Sequence, residues 1–206
     1  PYFKLGYFDD IKLTGVSLSS KAGDSVQFGG DLSYRDGAPV YLDNGAPTRG
    51  RYLQANVNAL YIMGPSPIAH QTTFMGEVMH QRIMGVDDLT VTGGMPGQNG
   101  TFSKYVYDGQ TRGSTLLGVG AVMDYPNIIS GWDLSTNVVW TQNIQGSAVS
   151  GMGRDEKRLT LGATMKYLGN LSLGVTWVNY LGRASIKDGR TMADRDYVSL
   201  NAKYTF

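Results

Sequence analysis

Nine segments of this chain alternate apolar and other residues with a period of two, and no member of the apolar sets is charged. Charged residues make up 17% of the chain, so their complete absence from one set is a strong restriction. A period of two is that of a β-strand with one apolar face. The alternation therefore predicts an all-β, antiparallel, up-and-down meander of about nine strands. The segments are Thr14–Leu18, Val26–Tyr34, Leu53–Tyr61, Thr72–Val78, Leu117–Met123, Leu134–Trp140, Leu159–Tyr167, Leu171–Trp177 and Val198–Phe206.

Uncharged apolar faces on all nine strands are typical of a transmembrane β-barrel, because a lipid-facing Lys or Arg costs about 2–4 kcal/mol at mid-membrane. A soluble β-sandwich also hides an apolar face, but it tolerates charges at its edges. No stretch approaches the roughly 18 apolar residues of a transmembrane helix. The chain has no cysteine, which excludes disulfides and thiolate metal sites. Its net charge of +1 gives no electrostatic reason to bind nucleic acid.

The connections between the predicted strands alternate in length. Short connections follow the first, third, fifth and seventh strands, whereas long ones follow the second, fourth, sixth and eighth, at 35–50, 86–110, 144–157 and 182–195. Bacterial outer-membrane barrels have short periplasmic turns and long external loops. The lengths therefore favour a barrel over a sandwich, and we expect the loop at 86–110 to lie outside the cell, where it could constrict the opening. Asp-Gly pairs at 36–37, 108–109 and 188–189 fall in the long connections, as turn residues should.

The sets opposite the apolar faces supply the candidate functional residues. We predict that nine polar side chains line a lumen: Asp31, Arg35, Gln54, Asn56, Asn58, Glu77, Arg158, Lys166 and Lys203. The acidic groups lie toward the N-terminal strands and the basic ones toward the C-terminal strands, which would place a transverse field across the lumen. The alternative is that these charges simply neutralise one another, since an unpaired charge in a confined space is costly.

Aromatic residues near the strand ends are predicted to form the two girdles that mark membrane interfaces. Tyr61, Tyr125, Tyr167 and Phe206 fall at the periplasmic end, and Tyr34 and Trp140 at the opposite end. A terminal Phe preceded by apolar residues at alternate positions, as in "RDYVSLNAKYTF", resembles the targeting signal of Gram-negative outer-membrane proteins. This resemblance implies the bacterial outer membrane as the location, with lipid or lipopolysaccharide around the barrel and recognition of the last strand by the barrel-assembly machinery.

A narrower resemblance rests on "DDIKLTGVSLSSKAG", "GGDLSYRDGAPV", "MGEV" and the terminal "RDYVSLNAKYTF". These phrases are similar to the C-terminal half of an uncharacterised large proteobacterial outer-membrane protein family associated with RND-type exporters. The resemblance implies traffic in hydrophobic molecules. The expected function is an outer-membrane channel or transporter for small or hydrophobic solutes. The alternative is a structural or adhesive barrel whose long loops bind a partner.

An enzyme is the least favoured class, and no cofactor or metal is expected. His70 and His80 are both predicted on the fourth strand with the parity of its apolar set, where a catalytic base would have no substrate proton to reach. The acidic pair in "GVDDL" lacks the ligand spacing of a calcium site. The glycines of "GGMPGQNG" precede no helix and so do not predict a phosphate cradle.

The odd number of predicted strands indicates that the barrel contains further strands. The terminal strand descends to the periplasm, so in an antiparallel meander of nine strands the first strand also descends. Such a pair could close only in parallel, whereas single-chain bacterial barrels have even strand numbers. We therefore expect residues 1–206 to be one transmembrane region, the C-terminal portion of a larger barrel whose N-terminal remainder supplies the missing strands.

Overall fold

The computed structural model describes residues 7–42, 46–92, 99–102, 111–147 and 152–206. It is all-β in these ranges, with strands β1 (Lys12–Ala22), β2 (Val26–Tyr41), β3 (Pro47–Met63), β4 (Gln71–Val86), β5 (Leu89–Val91), β6 (Gly100–Phe102), β7 (Gly113–Ile129), β8 (Trp132–Gln145), β9 (Lys157–Tyr167), β10 (Leu171–Leu181) and β11 (Tyr197–Tyr204). No helix in the described ranges is long and apolar enough to cross a membrane.

Nine of these strands form a single antiparallel sheet in the order β1-β2-β3-β4-β7-β8-β9-β10-β11. Each corresponds to one of the nine predicted segments, so the meander is confirmed. β5 and β6 form a separate two-stranded sheet within the predicted loop at 86–110. Among the described residues, β1 and β11 do not pair with each other, and the sheet is therefore open at both edges.

The sheet has a turn end and a loop end. At the turn end the strands are joined by 23–25, 64–70, 130–131 and 168–170; at the loop end they are joined by 42–46, 87–112, 146–156 and 182–196. The tightest connection is the two-residue turn before β8, where Gly131 adopts a φ of 78° that other residues rarely reach.

The prediction of a long loop at 35–50 is wrong, because β2 and β3 continue through most of this range and leave only 42–46 between them. This connection is shorter than 64–70, so the strict alternation of connection lengths fails here. The Asp36-Gly37 pair is not a turn: Gly37, with a φ of 80°, is the extra residue of a β-bulge between Asp36 and Ala38. A bulge accommodates the irregular residue without ending the strand.

Two further bulges occur toward the loop end, at Met84 in β4 and at Ile144 in β8. Beyond the bulge in β2, alternate residues change sides, and Ala38 and Val40 become buried. Leu42 and Ile83 are also buried there, and the hydroxyl of Thr48 donates a hydrogen bond to the Asp87 carbonyl (3.0 Å). The loop end therefore contains a small apolar core, whereas no second layer of described residues packs over the middle of the sheet.

The apolar core at the loop end requires a residue without a side chain at position 50, which is Gly50. A Cβ atom at Gly50 would collide with the side chain of Val40, which lies directly over it. We expect Gly50→Ala to lower the free energy of unfolding by about 1–3 kcal/mol, the usual effect of overpacking. Gly64→Ala, at a turn position with open space, is the matched control and should change it by less than about 0.5 kcal/mol. Equal effects of the two variants in chemical denaturation would contradict this packing.

Candidate functional site: the polar face of the sheet

Cross-strand register defines two faces, because directly paired residues project to the same side of a sheet. Asp31 pairs with Asn56, and Asn58 pairs with Glu77. Following the pairs across β7 and β8 leads from Glu77 to Arg158. We call this side the polar face. All nine side chains predicted to line a lumen lie on it: Asp31, Arg35, Gln54, Asn56, Asn58, Glu77, Arg158, Lys166 and Lys203.

The opposite side, the apolar face, is the more open of the two. On β10, Leu173, Val175 and Trp177 are exposed, whereas Val178, on the polar face, is only 4% exposed. Val57 on β3 is 64% exposed, while its polar-face neighbour Asn58 is half-buried. Four polar side chains on the polar face are buried, namely Gln81, Ser114, Thr141 and Asn143. From β3 to β10 the polar face is therefore the less exposed side, the reverse of the arrangement in a soluble protein, whereas β1 and β11 are exposed on both faces.

The charges of the polar face are not paired with one another. Four ion pairs occur within the described ranges, and all lie at the loop end: Arg49–Asp9, Arg51–Asp87, Lys157–Asp155 and Arg190–Asp188. Glu77, Arg158 and Lys203 form no ion pair with any described residue. Lys166 stands directly opposite Asp133, yet these two form no ion pair either. Mutual neutralisation is thus not the arrangement found in the described part of the sheet.

Arg35 is the one predicted lumen residue with a defined side-chain partner. Its guanidinium lies 5.5 Å from the centre of the Tyr52 ring, and Nη1 is 3.4 Å from the tyrosine hydroxyl. Two acidic residues of the polar face, Asp124 and Asp133, were missed by the sequence analysis. They lie on β7 and β8 at the turn end, so the separation of acidic N-terminal and basic C-terminal strands is less complete than the prediction.

Sequence reasoning also missed an apolar strip within the polar face. Leu60 pairs with Met75, Met75 with Gly120, and Gly120 with Val139. Leu116 lies two rows closer to the loop end, opposite Met79, with the row through Glu77 and Gly118 between. Leu60, Met75, Leu116 and Val139 line a cavity of about 420 Å³. The other residues that line it are Asn58, Ala59, Gly76, Glu77, Gly118, Val119, Thr141 and Arg158. The available signal was the presence of apolar residues at both parities, as in Leu116-Leu117 and Val138-Val139.

The predicted girdle residues within strands lie on the apolar face. Tyr61 stacks on Phe74 with ring centres 6.3 Å apart, and Tyr167 lies 5.0 Å from Trp132, both near the turn end. Tyr125 is also on this side of the turn end, and Phe206 follows β11 with its ring 6.2 Å from Tyr204.

The two aromatics predicted for the other girdle do not share a row. The row through Trp140 reaches β2 at Phe28. Tyr34 lies well inside β2, which continues to Tyr41. The girdles themselves stay a prediction.

The two histidines lie on different elements of the structure. His70 lies in the connection before β4, not on the strand as predicted, and its backbone N–H donates to the Asp124 carbonyl (3.1 Å). His80 is on the apolar face, where Nδ1 is 2.9 Å from the hydroxyl of Thr115. No group of three or more potential metal ligands occurs among the residues that the structure describes. Part of "GGMPGQNG", at 93–98, lies outside them, as does the Asp-Gly pair at 108–109.

In the described part of the chain, residues 152–156 pack against the loop at 182–196. The Arg154 N–H donates to the Asp188 carbonyl (2.7 Å), and Arg190 Nη1 donates to the Arg154 carbonyl (2.9 Å). Beneath them, Asn143 Nδ2 donates to the carbonyls of Gly146 and Met152, and the buried Glu156 carboxylate accepts from the Gly153 N–H (2.7 Å). The loop end of β8–β10 is therefore held by a backbone and side-chain network.

The family described as "Protein of unknown function (DUF1302)" matches the chain over residues 1–206. No curated protein and no solved structure is significantly similar to the chain. The match adds no substrate, partner or location.

A double-mutant cycle tests whether the polar-face charges are independent. For Glu77→Gln combined with Arg158→Gln, we expect a coupling energy below about 0.5 kcal/mol, because the two groups share no ion pair. The control cycle, Asp188→Asn with Arg190→Gln, removes a 3.2 Å ion pair and should give about 0.5–1 kcal/mol. A larger coupling between Glu77 and Arg158 than in the control would support mutual neutralisation.

Proposed function

We propose that this chain, which belongs to the DUF1302 family of proteins of unknown function, forms part of a transmembrane β-barrel in the bacterial outer membrane. Its polar face lines a path for small or hydrophobic solutes. In this proposal the apolar face contacts outer-membrane lipid or lipopolysaccharide. The C-terminal strand engages the barrel-assembly machinery. The barrel works in association with RND-type exporters, as the resemblance of the sequence to that outer-membrane family implies.

One observation carries the proposal: between β3 and β10, the face that bears the large apolar side chains is more exposed than the face that bears the polar ones. Val57, Val175 and Leu200 are 64%, 42% and 80% exposed. In water, an apolar face of this extent would be unfavourable by about 25 cal/mol per Å². Apolar patches larger than a few hundred Å² mark membrane or protein contacts. Lipid against this face removes the penalty, and it accounts for the lack of charge in the apolar sets.

The edges of the sheet require further strands under this proposal. Unpaired backbone groups cost several kcal/mol each in hydrocarbon, so neither β1 nor β11 can remain an edge within a membrane. In a sheet of nine antiparallel strands, β1 and β11 run in the same direction and cannot close antiparallel. We infer that strands from the N-terminal remainder of the same barrel lie between them.

The unpaired charges support a solute path rather than a filled interior. A packed interior would leave Glu77 and Arg158 desolvated without a counter-ion, which is costly. A water-filled or ligand-containing path keeps them solvated and makes them available to a passing solute.

A structural or adhesive barrel is the second candidate, and the hydrogen bonds between residues 152–156 and the loop at 182–196 favour it. Hydrogen bonds between Arg154, Asp188 and Arg190 give this surface a defined shape that a partner could bind. Purified protein in a planar bilayer separates the two candidates, because the channel predicts stepwise ionic conductance and the adhesive barrel predicts none.

Cysteine labelling tests the assignment of the faces, since the chain has no cysteine of its own. In liposomes, we expect a charged maleimide to label Asn58→Cys and Thr176→Cys, whose side chains face the aqueous path. It should not label Val57→Cys and Val175→Cys, one residue earlier on the same strands, because lipid covers them. Val57 is more exposed than Asn58 in the sheet itself, so a water-soluble sheet predicts efficient labelling of both valine variants. That result would refute the membrane assignment.

The connection at 87–112 is the candidate constriction. Replacing 89–110 with a short Gly-Ser linker keeps the Asp87 N–H bond to the Arg49 carbonyl (2.8 Å), which anchors the start of this connection. We expect single-channel conductance to rise, because the replaced residues include the β5–β6 hairpin at the loop end. A shortened 182–196 connection is the control for general loop loss. Unchanged conductance would exclude a gating role for this segment.

A further inference from the structure

The cavity on the polar face combines an apolar floor with one arginine, Arg158, whose buried Nε has no hydrogen-bond partner among the described residues. Leu60, Met75, Leu116 and Val139 supply the floor, and all four are half-buried. The cavity of about 420 Å³ falls within the 300–1,000 Å³ usual for small-molecule sites. From Leu60 on β3 to Val139 on β8 is three interstrand spacings, or about 14 Å. This length suits an extended apolar chain lying across the strands.

Arg158 is the cavity residue that lacks, among the described residues, a hydrogen-bond acceptor for one of its donors. Its Nε atom is buried and has no hydrogen-bond partner in the described structure, and its side chain forms no ion pair there. A guanidinium stays charged at every physiological pH and donates only. Leaving such a donor unsatisfied costs free energy. Glu77 also lines the cavity but is exposed, so water satisfies its carboxylate. The cavity is therefore better suited to an anion than to a cation.

We propose that this cavity binds an amphipathic anion, with its anionic head group on Arg158 and its apolar chain on the floor formed by Leu60, Met75, Leu116 and Val139. Arg158 and the Leu60–Val139 row are one alternate position apart along the strands, about 7 Å, so one molecule reaches both. Charge-assisted hydrogen bonds from a guanidinium to a carboxylate are strong and directional. The inference rests on the proposed function, because it names the solute class of the same path.

Two glycines on neighbouring strands provide a matched pair of variants. A Cβ atom at Gly118 on β7 would meet nothing within 4 Å, and Gly118 lines the cavity. A Cβ atom at Gly76 on β4 also meets nothing within 4 Å. Gly76 contributes only backbone atoms to the same cavity, and its Cβ would project from the apolar face, since Gly76 pairs with Val119. Gly118→Phe therefore fills the cavity, and Gly76→Phe adds the same ring on the other side of the sheet.

Saturable binding of radiolabelled decanoate to the protein in lipid nanodiscs tests the site, with empty nanodiscs subtracted for partitioning. We expect Gly118→Phe to abolish binding and Gly76→Phe to retain it. A photoreactive decanoate on the unaltered protein should label Leu60, Met75 or Val139 and not their apolar-face neighbours Tyr61, Phe74 and Val138. The labelling needs no variant, so a folding defect in Gly118→Phe leaves the test intact.

The head group is tested by Arg158→Gln, which should weaken decanoate binding at least about tenfold, as expected for loss of a hydrogen bond to a charged group. Binding of decan-1-ol, which has the same chain and no charge, should change less than about twofold. Lack of saturable decanoate binding, equal loss in Gly76→Phe and Gly118→Phe, or labelling confined to Tyr61, Phe74 and Val138 would each overturn the inference. Conductance measured on the same nanodisc-derived samples in bilayers reports separately on the proposed path, which can stand when decanoate fails to bind.

Discussion

Backbone register between neighbouring strands is the constraint on which the rest of this structure depends. Because side chains alternate along a strand, a slip of one residue would exchange the two faces of that strand. The eight antiparallel pairings of the main sheet keep one register through its middle, and they bring Asp31 beside Asn56 and Glu77 into one row with Arg158. The separation of an apolar face from a polar one is thus a property of hydrogen bonding as much as of composition.

Bulges at Gly37, Met84 and Ile144 end this regular register toward the loop end. Each inserts one residue, so positions beyond it change sides. In β2 the change moves Val40 onto the covered side, over Gly50, where it packs as part of an apolar core. The same sheet therefore combines a central part with two distinct faces and a loop end that packs like an ordinary protein interior.

Electrostatics follow the same division. At the loop end, charges meet partners: Arg49 lies 2.6 Å from Asp9, and Arg190 lies 3.2 Å from Asp188. On the polar face, Glu77 and Arg158 have none within the described residues, and the cavity between them has an apolar floor. Paired charges hold the loops in place, whereas Glu77 and Arg158 remain unpaired among the described residues, beside an apolar floor.

The sequence by itself determined the nine-stranded meander and the membership of its two faces, because a period of two needs only local information and a slip of one residue would exchange the two sets. All nine predicted lumen residues accordingly share one face. Tertiary structure alone decided the continuation of β2 and β3 through 35–50, because a bulge at Gly37 and a turn at an Asp-Gly pair look alike in sequence. It also decided the cavity: Leu60, Met75, Leu116 and Val139 are far apart in the chain, and only cross-strand pairing brings them together beside Arg158.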